Sequence, residues 1–154
     1  STTVTGINEE SAKTRLQYLS DHQGLMLMES DFVSLHTVLD DSTYHLISDE
    51  AFDKMKTNSV LVNAARGPIV DPKALYKALK DGRIAAAGLD VTEPEPIPMN
   101  DPLLTLENCV IVPHTASASV STRREMSRIS ATNLLNGING EKLLTCVNPE
   151  VYEI

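Results

Sequence analysis

The segment Val60-Leu61-Val62 runs without a polar break, and that continuity constrains the fold more than any other feature of the chain. A strand exposed on one side alternates apolar with polar residues, whereas a strand of a parallel sheet covered on both faces reads as an unbroken β-branched run. Parallel neighbours in turn require crossover connections, usually helical. Directly after the run come Asn63-Ala64-Ala65-Arg66-Gly67 and Pro68-Ile69-Val70-Asp71-Pro72, in which Asp71 and Pro72 have the form of a helix cap followed by the first helical residue. The strand therefore delivers Arg66 to its carboxyl end. In open α/β sheets that edge is where ligands bind, and an arginine there can hold a carboxylate by a two-pronged hydrogen bond.

The rest of the chain repeats the rhythm. Residues 2–7 are rich in β-branched types and read as a strand, residues 8–19 as a helix with acids in its first turn, and residues 24–29 as a second short helix. Residues 31–36 form the next strand candidate, and Ser48 stands as the cap of a helix over 49–55. The helix over 72–80 places Leu75, Ala78 and Leu79 on one face and ends at Gly82. Residues 85–91 read as a short strand, and the prolines of residues 92–98 force a loop over the sheet edge. The last strand covers 109–112 and is closed by Pro113. Ser121 or Thr122 then starts a helix to about Asn136, whose Met126, Ile129, Ala131, Leu134 and Leu135 predict broad burial. Strand and helix in alternation imply an α/β fold, a doubly wound parallel sheet.

Composition narrows the partners. At 154 residues, 42% hydrophobic and 22% charged, the chain is one domain's length and can bury a core. A net charge of −8 speaks against nucleic acid or an anionic membrane surface as the main partner. Cys109 and Cys146 match no metal-ligand spacing, and no metal is expected. Cys109, inside an apolar run, reads as a buried inert thiol, which fits a reducing compartment. No stretch is long and apolar enough to span a bilayer, and none reads as a signal or transit segment. The chain opens on Ser1 rather than Met, the mark of a processed start or of a piece of something longer.

With parallel strands, His36, Arg66, Asp90 and His114 converge at carboxyl ends, with Glu95 in the loop beyond Asp90. A histidine near neutrality can donate and recover the proton needed to reduce a carbonyl. A carboxylate beside it fixes the ring and favours its charged form. An arginine holds a substrate carboxylate and polarises the carbonyl. Together these describe a site for reducing a 2-oxo acid. His22 and His45 are assigned to surface or packing.

Three ordered motifs then carry a resemblance. Residues Asn63 to Asp71, Gly88-Leu89-Asp90-Val91 with Glu95-Pro96, and Pro113-His114 resemble the successive signatures of the D-isomer-specific 2-hydroxyacid dehydrogenases. The resemblance implies a catalytic trio in which Arg66 binds substrate, His114 is the acid/base and Glu95 its partner. By the same analogy Val38, Ala64, Asp90 and Ala116 lie along a nicotinamide cofactor, NAD or NADP. Within the family, residues 34–46, 85–92, 101–106 and 114–119 look most like hydroxypyruvate and glyoxylate reductases. Formate dehydrogenases of the superfamily carry glutamine where Glu95 stands, while phosphoglycerate dehydrogenase has the same site residue types.

The departures matter too. Val38 stands where proline is usual, and Thr115 where isoleucine is common. No G-x-G-x-x-G occurs, and that turn is the one that binds the pyrophosphate. At the end of the first expected strand Gly6-Ile7-Asn8 offers neither the acid that favours NAD nor the arginine that favours NADP. The expected organisation is thus a partial dinucleotide-binding (Rossmann-type) domain over residues 1–139, with the 140–154 tail returning toward a substrate domain outside the chain. Small 2-oxo acids are the expected substrate. A homodimer, or a partner polypeptide supplying the missing part, is expected as well, because the first strand would otherwise be a bare edge. The rival expectation is a non-catalytic structural or interaction module, as in the similar C-terminal binding protein corepressors.

Overall fold

Four short strands carry the architecture in the computed structural model, which describes residues 25–153. The strand expected over 2–7 and the helix expected over 8–19 lie outside the described residues. Residues 25–29 are helical. The strands β1 (Phe32–Leu35), β2 (Val60–Asn63), β3 (Ala86–Leu89) and β4 (Cys109–Ile111) run parallel in the spatial order β1-β2-β3-β4. This is the parallel α/β sheet that the sequence predicts. Helix α1 (Asp49–Lys54) joins β1 to β2, and α2 (Pro72–Lys80) joins β2 to β3. Parallel crossovers are right-handed, so two successive ones in the same direction put both helices on one face, where they pack on each other.

Under those helices lies the core, centred on Phe52, Leu61, Ile69, Ala78 and Ile84, none with measurable exposure. The unbroken run of β2 predicts cover on both faces. Among the described residues only Leu61 of that run is buried, while Val60 and Val62 are half-buried. The difference has a topological cause, since α1 and α2 both lie on the Leu61 side.

Local signals set the helix ends. Asp71 caps α2, its side chain accepting from the Lys73 and Ala74 amides at 2.8 and 3.2 Å, and Gly82 ends it with φ +69°. Ser48 precedes α1 as expected but makes no side-chain cap bond, and the helix stops at Lys54. Arg83 ties α1 down instead. Its guanidinium donates to the Asp49 carboxylate at 2.6 Å, the Asp49 carbonyl at 2.7 Å and Asp53 at 2.5 Å, and this pairing holds the Asp49 carboxyl below the usual carboxylate range.

The chain divides into two compact units between His114 and Thr115. In the second, helix α3 (Val120–Ile138) is capped by Ser119, which accepts from the Thr122 amide at 3.2 Å, two or three residues ahead of the expected start, and it runs two residues past Asn136. Broad burial of α3 is not observed. None of its residues is buried, and Leu134, Leu135 and Ile138 are 65%, 60% and 73% exposed. Burial requires a covering surface, and apolar composition alone does not create one. Within this unit the tail folds back on α3 mainly through polar groups. Asn133 bonds Thr145 and the Leu144 amide at 2.8 Å each, Asn136 bonds the Lys142 carbonyl at 2.8 Å, and the Leu143 amide donates to the Tyr152 hydroxyl at 3.1 Å. No helix among the described residues is long and apolar enough to cross a membrane.

Candidate active site

Register builds the site. Leu35, Asn63, Leu89 and Ile111 are aligned across the four described strands, so His36, Ala64, Asp90 and Val112 each leave the same edge as the next residue of their strands. Everything the sequence predicts as chemical in the first unit therefore starts from one line.

Asn63 shapes the turn that carries Arg66. Its side chain, 1% exposed, accepts from the Ala65 amide at 3.1 Å and donates to the Arg66 carbonyl at 2.9 Å. A polar side chain is tolerated at this depth because both ends of its amide are bonded. The Arg66 guanidinium is exposed and donates back to the Ala65 carbonyl at 2.7 Å. Gly67 then closes the turn against the proline-rich loop: a Cβ there would come within 1.9 Å of the Thr92 carbonyl oxygen. Only glycine permits that approach of two backbones.

On the other side of the edge, Pro113 and His114 follow β4. The His114 amide donates to the Val112 carbonyl at 3.0 Å, and the residue adopts φ +52°, a conformation that histidine enters seldom and that marks a constrained position. The His114 Nδ1 lies 2.7 Å from Glu95 Oε1, both side chains being about half exposed. The bond to His114, aided by the Thr92 amide, holds the Glu95 carboxyl below the usual glutamate range, against burial and the nearby Asp90. An ionised carboxylate only accepts hydrogen bonds, so Nδ1 carries the proton and donates. Nε2 lies outside this bond.

The remaining expected positions sort by unit. His36 is not part of the Glu95–His114 pair; its Nε2 is bonded to Ser34 Oγ at 2.8 Å. Val38 is 73% exposed, and its carbonyl accepts from the buried Thr43 hydroxyl at 2.7 Å, which fixes the loop after β1. Ala64 is exposed and Asp90 buried, with the Asp90 amide bonded to the Asn63 carbonyl at 2.9 Å. Ala116 is exposed in the second unit. Cys109 is half-buried, and its thiol is pushed up to about 11, chiefly by burial and further by Asp101.

Sequence reasoning missed three groups. Asn63 was legible as a polar residue ending an apolar strand. Gly67 stood inside the motif, but the backbone it touches lies 25 residues on. His45, assigned to surface or packing, pairs with Glu93 across 48 residues of sequence, and no local pattern announces that.

Residues 3–116 match the family model of the D-isomer specific 2-hydroxyacid dehydrogenase NAD binding domain. The glyoxylate reductase of Korarchaeum cryptofilum (strain OPF8) is 55% identical over 129 residues, 84% of this chain and 39% of that relative. A D-lactate dehydrogenase with NAD+ from Lactobacillus jensenii superposes with a TM-score of 0.75 at 36% identity, over 80% of this chain and 41% of the other. An NADPH-dependent glyoxylate/hydroxypyruvate reductase from Sinorhizobium meliloti, in complex with NADP and malonate, gives 0.74 at 35% identity, over 82% and 40%. The chain thus spans about two fifths of the length of these relatives.

Proposed function

Because the chain belongs to the D-isomer specific 2-hydroxyacid dehydrogenases, matching the NAD binding domain of that family, we propose that it forms the acid/base side of a reductase. The reaction is NAD(P)H-dependent reduction of hydroxypyruvate or glyoxylate to the corresponding 2-hydroxy acid, the D-isomer where the carbon is chiral. The observation that carries this reading is the 2.7 Å bond between Glu95 and His114, on the same sheet edge as the Arg66 turn. The names of the glyoxylate reductases among its relatives support the substrate class.

Arg66 holds the substrate carboxylate and draws electron density from the adjoining carbonyl. His114 gives its Nε2 proton to the carbonyl oxygen as the carbon gains a hydride, so that C=O becomes CH–OH, and solvent then restores the proton. Glu95 keeps Nδ1–H oriented and stabilises the charged ring before transfer. Val38, Ala64 and Asp90 of the first unit would hold the nicotinamide. When bound, that group supplies the hydride. The working protein is read as a homodimer, or as joined to a polypeptide that completes the substrate cleft.

The test is NAD(P)H oxidation by the natural polypeptide with glyoxylate and with hydroxypyruvate. His114→Ala should lower kcat by about 100-fold or more, and Arg66→Lys should raise KM because the two-pronged grip is lost. Absence of turnover in the wild-type protein, or turnover untouched in His114→Ala, would overturn the reading.

A further inference from the structure

A second histidine–carboxylate pair shares the 92–98 loop with the first. His45 Nε2 lies 2.7 Å from Glu93 Oε2, and the Tyr44 hydroxyl donates to the other oxygen of Glu93 at 3.3 Å. The Tyr44 ring stacks on His45 with centroids 4.0 Å apart, while Asp71 approaches His45 Nδ1 at 3.8 Å. The backbone of His45 is engaged as well. Its amide donates to the Pro68 carbonyl at 2.8 Å, and the Ile47 amide donates to Ile69 at 3.0 Å. His45 therefore grips the turn after Arg66 with its main chain and the loop before Glu95 with its ring. It does so at φ +50°, a conformation unfavourable for a non-glycine residue, which the surrounding contacts must hold in place.

We infer that the His45–Glu93 pair is a positioning latch, setting the 92–98 loop against the Arg66 turn so that Glu95 meets His114. The inference rests on the reading of Glu95 as the partner of the proton donor. Glu93 stands two residues before Glu95 in the same loop, so fixing Glu93 restrains the backbone that carries Glu95. Gly67 completes the latch by letting Thr92 seat directly on the turn. His45 and Glu93 touch neither substrate nor cofactor in this scheme; they act through Glu95.

The test reads the site without requiring turnover. In the full-length protein, 13C NMR titration follows the Glu95 carboxyl, and the downfield Nδ1–H proton of His114 reports the Glu95–His114 bond. His45→Gly suits the positive φ and removes only the ring; Glu93→Ala removes the carboxylate. Each should raise the Glu95 titration midpoint toward the ordinary glutamate range and weaken the His114 signal. The double variant should do no more than either single one, and His45→Gln should retain the wild-type midpoint. In turnover the single variants should lose up to about 100-fold in kcat, as a displaced catalytic group does, with little change in KM. An unchanged Glu95 midpoint in folded His45→Gly and Glu93→Ala, or additive effects in the double variant, would overturn the latch. Absence of turnover in the wild-type protein would instead overturn the functional reading, and the NMR arms would still decide the latch.

Discussion

At the scale of single residues, Glu95 is the group whose ionisation the proposed site depends on. Its carboxyl is held below the ordinary glutamate range, first by the bond to His114. A depressed folded-state value means that the pairing stabilises the folded chain above the ordinary range and is lost as pH falls through the lowered value. Glu95→Gln should therefore narrow the difference in Tm between about pH 7 and about pH 3, measured by calorimetry; an unchanged difference would show that the pair adds nothing to stability. Gly67 constrains in another way. Gly67→Ala places a methyl where the Thr92 carbonyl already lies, so the loop must shift. Overpacking of this kind costs about 1–3 kcal/mol. A lowered Tm together with a weakened Glu95–His114 bond is the expected result, whereas a variant with wild-type Tm would mean the two backbones can part without cost.

At the scale of elements, what could be read ahead of the structure was what is written locally. The Asp71-Pro72 pair announces α2 because cap and first turn lie within four residues, and Gly82 ends it for the same reason. Short strand-forming segments locate the four described strands, hence Arg66, Asp90 and His114 at strand ends, while the prolines mark the loop holding Glu95. The start of α3 was misplaced because Ser119, Ser121 and Thr122 offer competing hydroxyls, and only backbone geometry selects Ser119. Its burial was misjudged because composition does not tell whether a covering surface exists. Likewise Ser48 has the right residue type and position for a cap, yet its side chain makes no such bond, and Arg83 from beyond α2 anchors α1. The His45–Glu93 pair depends on two loops meeting, which no window along the chain contains.

At the scale of the whole molecule, the order in which strands are stacked decides how securely each proposed catalytic group is held. β2 is flanked by strands on both sides, whereas β4 has β3 alone as its described neighbour, is three residues long and contains exposed Val110. The Arg66 turn therefore hangs from the interior of the sheet and His114 from its margin. Local opening draws on such margins first. Amide exchange should be slowest at Leu61 and Val62 and markedly faster at Ile111 and Val112, and with rising denaturant the activity should vanish before the bulk ellipticity; coincident transitions would contradict this. On the proposed reading, a substrate grip in the interior and a proton donor at the described rim would give the site a built-in order of failure, in which a warming molecule still binds its acid after it has ceased to protonate it.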